Sequence, residues 1–390
     1  MWNRPSLPPP GSDLTATPNS NRIGVRDSRR LLVTPVLVLD LDRLESNIAA
    51  MAAHCRRVGL ALRPHAKTHK SLRIARLQIE AGAVGICCAT IGEAEIMARA
   101  GIAGVLVTSP VVQPACIERL VALRTDATGL MAVVDNPSNA RAIAEAAGAS
   151  GTTLRVLIDF DLGLGRTGAA SVADAVALAR LVTDTPGIEF AGVQAYAGHL
   201  QHIEGFAARA ELAATQAARL SELVGALTRE GMPPGIVSGG GTGTHDIDHG
   251  GAFTELQAGS YAVMDVEYGD VELRAGQPTV FEPALFVRTT VVSNNAAGMV
   301  TTDAGLKRFA TDGPKPRIAR GAPDGAIYAF GGDEHGCVVF ADASQSLPLG
   351  AAIECIAPHC DPTVNLYDHF HCVRGDDLVD IWPVDARGAY

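Results

Sequence analysis

The sequence predicts an α/β protein, a (β/α)8 TIM barrel followed by a mostly β C-terminal domain. Three observations predict it. From Leu41 to Met264 short apolar runs, about eight of them strand-like, alternate with longer amphipathic segments, which is the pattern of strands and crossover helices in a barrel. After Tyr268 the helical periodicity fades, and β-rich runs separated by Gly, Pro and Asp take over. The 390 residues also exceed the roughly 250 that one barrel absorbs, so a second domain has room. A doubly wound open sheet is the competing architecture.

Residues 1–30 are rich in Pro, Ser and Asn, lack the apolar core of a signal peptide, and are expected to form a flexible arm. Leu32–Leu39 is strand-like and precedes the first helix, so residues 31–40 are expected to join the distal β domain. The barrel is expected over residues 41–268. Its candidate strands are Leu60–Pro64, Val84–Ala89, Gly104–Thr108, Leu130–Val134, Leu154–Phe160, Phe190–Ala195, Gly235–Ser238 and Leu256–Val263. The stretches Leu44–Arg57, Ile91–Ala100, Ala140–Ala147, Ala173–Leu181 and Ala207–Arg229 carry apolar residues three or four apart and much Ala, as helices do. The β domain is expected over 269–390, with strands within Thr279–Val292, Ala326–Phe330, Gly336–Phe340 and Leu378–Val384.

Hydrophobic residues at 47% and charged residues at 19% describe an ordinary globular chain. A formal charge of -10 excludes phosphate-backbone binding as the main business, because nucleic acid needs a basic face. Cys55, Cys87, Cys88, Cys116, Cys337, Cys355, Cys360 and Cys372 form no CxxC pair, so reduced thiols in the cytoplasm are expected. No apolar stretch approaches the ~20 residues that span a membrane.

Five segments carry chemistry. Arg63-Pro64-His65-Ala66-Lys67-Thr68-His69-Lys70 ends the first barrel strand, on the face where barrels place active sites. A lysine buried there loses its proton more easily, and a neutral amine condenses with an aldehyde cofactor. Spacing alone does not choose between Lys67 and Lys70. Ser238-Gly239-Gly240-Gly241-Thr242-Gly243 follows a late strand, where backbone amides and the Thr242 hydroxyl could cradle a phosphate. Asp161-Leu162-Gly163-Leu164-Gly165-Arg166-Thr167-Gly168 offers Arg166 to an anionic oxygen. Gln194-Ala195-Tyr196-Ala197-Gly198-His199-Leu200-Gln201-His202 supplies acid–base candidates. In Pro358-His359-Cys360-Asp361-Pro362-Thr363-Val364-Asn365, an extended backbone would project His359 and Asp361 to one face, suited to a divalent cation, with Cys360 pointing away.

Together these segments resemble the D-threonine aldolase and D-serine dehydratase family of fold-type III pyridoxal-phosphate enzymes. The resemblance runs from about Thr34 to the C-terminus through RPHAKTHK, GLGRTG, the QAY and QH segment, SGGGTG, ELQAGSY, DAGLK, DEHG and HCDPTVN, in that order. It implies an alanine-racemase-like barrel with a β domain, usually dimeric, and Lys67 rather than Lys70 as the lysine carrying pyridoxal 5'-phosphate. It also implies Arg166 at the cofactor's phenolic oxygen or a nearby carboxylate, Tyr196 lining the pocket, His202 as base on the substrate hydroxyl, and Gly240, Gly241, Thr242 and Tyr261 around the phosphate. His359 and Asp361 match the metal pair. Dehydratase members resemble HxC with zinc and aldolase members HxD with a manganese-like ion. This chain reads HxD, and a carboxylate prefers harder ions than a thiolate does. The expected reaction is cleavage of a D-3-hydroxy amino acid, of D-threonine type, to glycine and an aldehyde. The expected cation is manganese first, with magnesium, cobalt or zinc as others. The run Ala89-Thr90-Ile91-Gly92-Glu93 looks more like the dehydratase side, which keeps β-elimination of D-serine or 3-hydroxy-D-aspartate to a 2-oxo acid and ammonia as the alternative. A cofactor carrier without turnover is a third reading.

Overall fold

The protein's structure, a computed structural model, describes residues 18–123 and 129–390. The chain enters through β1 (Val36–Asp40), and Asp40 then caps the first long helix, Leu41–Val58, by accepting from the Arg43 N–H at 3.3 Å. Eight parallel strands follow: β2 (Ala61–Leu62), β3 (Ile86–Cys88), β4 (Val105–Val107), β5 (Met131–Val134), β6 (Leu154–Asp159), β7 (Ile188–Ala195), β8 (Ile236–Gly239) and β9 (Glu255–Leu256). They pair in the order β2-β9-β8-β7-β6-β5-β4-β3. The open side is stitched where Val84 N–H donates to Leu62 O at 2.8 Å and Cys87 N–H to Pro64 O at 2.9 Å. The alternation of side chains along the strands explains the division of the core. Cys87, Leu106, Met131, Val133, Leu157 and Ala191 form one cluster. Their neighbours Ile86, Cys88, Val105, Val107, Ala132 and Val156 pack in another, against the helices. Polar caps start those helices: Thr90 accepts from Glu93 N–H at 3.2 Å, Ser171 from Asp174 N–H at 3.1 Å, and Asn136 stands before a proline at the helix start.

The second sheet comprises β1 with β10 (Leu285–Ser293), β11 (Met299–Thr302), β12 (Arg317–Arg320), β13 (Ile327–Phe330), β14 (Gly336–Val339), β15 (Ala352–Ile356), β16 (His369–Arg374) and β17 (Asp377–Pro383). Its main path runs β13-β14-β11-β10-β1-β16-β17, with β15 joining β10 to β12. β1 lies antiparallel to β10, Val36 opposite Arg288, and parallel to β16, Leu37 opposite Phe370.

Some expectations are corrected. Residues 1–17 of the expected arm lie outside the described residues, but residues 18–30 are pinned to the β sheet. Arg29 forks onto Glu354 through bonds of 2.9 and 2.6 Å, and Gly24 N–H donates to Leu378 O at 2.9 Å. The expected strand Leu256–Val263 stops at Leu256, because Gly259 turns the chain into the single 3-10 turn Ser260–Ala262. The run from Thr279 pairs only from Leu285, after Pro283, which cannot donate to a ladder. Two crossover helices, Leu72–Glu80 and Pro114–Ala122, fill gaps between strands where the (β/α)8 pattern calls for a helix but no stretch was singled out. His359 has extended φ and ψ of -137° and 122°, but Cys360–Val364 is a short helix rather than extended chain. The eight cysteines are free thiols, and no helix among the described residues is long and apolar enough to cross a membrane.

Candidate active site

Lys67 sits in a 3-10 turn, Ala66–Thr68, directly after β2. His65 caps that turn: its Nδ1 accepts from Lys67 N–H at 3.3 Å, which leaves Nε2 to donate to Thr108 Oγ1 at 3.0 Å. Burial holds this imidazole neutral, its pKa lowered to about 3. The turn opens onto a cavity of about 310 Å³ at the strand C-termini, whose walls include Lys67, Arg166, Tyr196, Gly241, Thr242, Ser260 and Tyr268. Arg166 stacks over Tyr196 with its guanidinium carbon 5.7 Å from the ring centroid. Side-chain amides support the wall. Gln194 Nε2 donates to Asp159 Oδ1 and to Thr108 O, both at 2.9 Å, while Gln257 Nε2 donates to Gln194 Oε1 at 3.1 Å.

The glycine run turns where bulk is impossible. A Cβ on Gly241 would lie 2.3 Å from Gln201 Oε1, and one on Gly243 2.1 Å from Gln201 O. Gly243 N–H donates to Gln201 Oε1 at 2.9 Å, so the QH segment and the glycine loop lock together. The Thr242 hydroxyl accepts from Tyr261 N–H at 3.0 Å, joining this loop to the turn at Ser260. Gly240 and Tyr261 are not on the cavity wall. Gly240, at φ +68°, faces Asp248 and Leu256. The Tyr261 phenol is fully buried, 3.1 Å from Gln78 Nε2, because its ring fills the core against Phe281. Ser260 takes its place at the wall.

A second group of polar residues adjoins Lys67. Its ammonium forms an ion pair with Asp361. The neutral lysine expected from burial is therefore not what the chain alone presents: the Asp361 carboxylate raises the lysine well above its ordinary value, outweighing desolvation. Burial would raise Asp361, but the Lys67 charge holds it far below the usual carboxylate range. His359 Nδ1 lies 2.9 Å from Asp312 Oδ2. The His202 ring is half exposed, off the cavity wall, with its centroid 4.7 Å from that of Tyr268 and 6.5 Å from that of His359. Glu267 Oε2, 3.6 Å from His202 Nδ1, is buried without a hydrogen-bond partner. The Cys360 thiol points at Asp361 Oδ1 at 3.4 Å as a donor, and burial pushes it well above the ordinary thiol range. It is a protonated neighbour rather than a thiolate.

Residues 39–266 match the family model described as the alanine racemase N-terminal domain, and residues 284–373 match the putative serine dehydratase domain. The chain belongs to the alanine racemase N-terminal-domain family. It is 37% identical over 383 residues to the 3-hydroxy-D-aspartate aldolase of Paracoccus denitrificans (strain Pd 1222), covering 97% of this chain and 96% of the relative. It is 42% identical to the D-threonine aldolase of an Arthrobacter species, covering 91% and 93%. Among solved structures, D-threonine aldolase from Filomicrobium marinum superposes with a TM-score of 0.86 at 36% identity, over 92% of this chain and 96% of that one. The D-threo-3-hydroxyaspartate dehydratase of Delftia sp. HT23 is more distant at 28% identity, with a TM-score of 0.83, over 91% and 98%. The alanine-racemase-like barrel with a β domain is thus the fold of this family member.

Site residues that sequence reasoning missed include Tyr268, Ser260, Glu267 and Asp312. Ser260 lies inside the quoted ELQAGSY run, which could have signalled it. Tyr268 and Glu267 lie on the four-residue helix Val266–Gly269, and Asp312 lies in a turn, where no periodicity points inward. Lys307 pairs with Glu334 at 2.6 Å, away from the cavity.

Proposed function

We propose that this chain is a pyridoxal-phosphate- and divalent-cation-dependent aldolase that cleaves D-3-hydroxy amino acids, of D-threonine type, to glycine and an aldehyde. The observation that carries the reading is the contact of Lys67 with Asp361: a lysine on the cavity wall and the carboxylate of the HxD pair, from opposite domains, meet beside that cavity.

The residues fit both groups. The cavity of about 310 Å³ lies at the small end of ligand sites, suited to one cofactor and a small substrate. Its wall offers one primary amine, an arginine stacked on a phenol, and glycine backbone beside two hydroxyls, the donor set of an aldehyde that carries a phosphate. Lys67 would hold the cofactor, with Arg166 and Tyr196 along its ring and Gly241 and Thr242 at its phosphate; Gly240 and Tyr261 would shape the phosphate loop from behind. For the cation, His359 supplies an imidazole and Asp361 a carboxylate, while the protonated Cys360 is no competitor. Manganese suits the oxygen-rich surroundings of Asp361, Asp312 and Glu267.

When bound, the cofactor supplies an electron sink, and the cation a Lewis acid for the β-oxygen. The chain's own residues do the rest. Lys67 would hold the cofactor and Asp361 the cation, so the ion pair between them would give way when both groups are bound. His202, its pKa lowered chiefly by burial, is neutral at pH 7 and takes the proton of the substrate's β-hydroxyl. Tyr268 packs edge-on against that ring and fixes its attitude. The substrate is a small D-amino acid. A homodimer in the reducing cytoplasm is our further reading, supported by the eight free thiols for the compartment and by the resemblance for the assembly.

The test is a product assay with pyridoxal phosphate and manganese. D-Threonine should give glycine and acetaldehyde, and L-threonine nothing. Ammonia and 2-oxobutanoate from the D-isomer would overturn the aldolase reading in favour of elimination.

A further inference from the structure

On the flank of the barrel, behind the glycine loop, three residues left unused by the proposed chemistry converge. His54, from the helix Leu41–Val58, meets His245 and Asp246, which follow the Ser238–Gly243 run. Their potential ligand atoms all lie within 4.8 Å of one another. Both imidazoles are nearly buried.

The hydrogen bonds fix each tautomer. His54 Nε2 lies 2.9 Å from His245 O, and His245 Nδ1 lies 2.8 Å from Thr242 O. A carbonyl oxygen only accepts, so both of these ring nitrogens carry the proton. The lone pairs therefore remain on His54 Nδ1 and His245 Nε2. This is how metal-binding histidines are commonly set, with the far N–H tied to a carbonyl and the near nitrogen left as ligand. Asp246 Oδ1 lies 3.7 Å from His54 Nδ1. Ligand atoms on a tetrahedral ion with bonds of about 2.0–2.1 Å stand roughly 3.4 Å apart, so this edge is already close to the needed length. The partly exposed Asp246 can close the remainder.

What now lies on the His54 lone pair is a cation. Arg57 Nη2 donates to His54 Nδ1 at 2.9 Å and lies 3.9 Å from Asp246 Oδ1. That side chain is 62% exposed and can swing away. His249, exposed and with its ring 6.4 Å from that of His54, stands at the entrance.

We propose that His54, His245 and Asp246 form a second cation site, distinct from His359 and Asp361, for a divalent transition ion of the zinc class, with Arg57 as its displaceable occupant. Two imidazoles and one carboxylate with an open fourth position suit zinc or cobalt rather than magnesium or calcium. Through the His245 bond to Thr242 O, the ion would stiffen the loop that carries Thr242 to the cavity.

The proposal does not rest on the aldolase reading, and cobalt binding tests it. Metal-stripped full-length protein is titrated with Co2+, and bound equivalents are read from the visible bands and by elemental analysis. Wild type is expected to hold two equivalents per chain and His359→Ala one. His54→Gln and Asp246→Asn should each weaken the second equivalent at least about tenfold. Arg57→Ala, a surface change that spares the fold, should tighten it several-fold, which a merely structural cluster would not do. A His359→Ala protein that binds no ion, or Asp246→Asn and Arg57→Ala proteins that titrate as wild type, would overturn the site. Failure of the active-site metal assignment shows differently, as His359→Ala leaving the equivalents unchanged.

Discussion

At the scale of single residues, Lys67 and Asp361 answer each other's charge, and removing either exposes the other. Lys67→Ala should abolish the visible absorbance of bound pyridoxal phosphate and all turnover; an intact band would remove the lysine from its role. Asp361→Asn has a less obvious consequence. Without the carboxylate, the largest force that raises the lysine is gone, and burial, which lowers it, is opposed only by the lesser pull of Tyr196 and Cys360. The metal-free variant should therefore take up pyridoxal phosphate several-fold faster than wild type near pH 7, while cation-dependent cleavage is lost. Stopped-flow absorbance checks the first and product assay the second. Replacing His202 by Ala should lower kcat by about 10²–10⁴, the usual worth of a positioned base, and an unchanged kcat would assign the proton elsewhere. Of the residues on the cavity wall, sequence reading had named Lys67, Arg166, Tyr196, Gly241 and Thr242, because each stands in a compositionally unusual run just past an apolar strand; the choice of Lys67 over Lys70 came from the resemblance. Sequence reading did not reach Tyr268 or Asp312, because their positions are set by packing between domains, which leaves no local signature.

At the scale of elements, two tie-points are open to measurement. Arg29 and Arg288 both bind Glu354 on β15, whose carboxylate is 1% exposed, at 2.6–2.9 Å. Glu354→Ala strands two buried guanidiniums, and breaking such a network costs about 3–5 kcal/mol; urea unfolding should show the loss, and a change below about 1 kcal/mol would mean water reaches the arginines. The loop after β8 behaves oppositely. Burial pushes Asp248, bonded by the Thr244 hydroxyl, up to about 7 from 3.8. Its neutral form suits the fold, so its contribution to stability is present below pH 3.8 and lost as pH rises through about 7. Asp248→Asn should accordingly raise Tm relative to wild type at pH 8 and gain much less at pH 5, with thermal melts at both values as the check. The elements themselves were legible where burial is two-sided and long. The strands β3, β4 and β5 run as unbroken apolar stretches, whereas β12, with the exposed residues Arg317, Ala319 and Arg320, offers no hydrophobic pattern to read.

At the scale of the whole molecule, the two halves are not consecutive beads. Early residues sit among late ones: β1 lies between β10 and β16, and the chain's end returns to the first barrel loop, where Ala386 N–H donates to Lys70 O at 2.9 Å and Leu72 N–H to Asp385 Oδ2 at 2.7 Å. The sequence could suggest that a strand-like run joins a distant sheet, but not its neighbours or register, because those depend on pairings hundreds of residues apart. The interleaving has a consequence during synthesis. When β1 emerges from the ribosome, neither strand that will flank it has been translated. An apolar ribbon with two unsatisfied edges must wait until nearly the whole polypeptide is made, and such edges invite sticking to other chains. Expression yield should thus depend on chaperone supply more than the native stability alone would suggest.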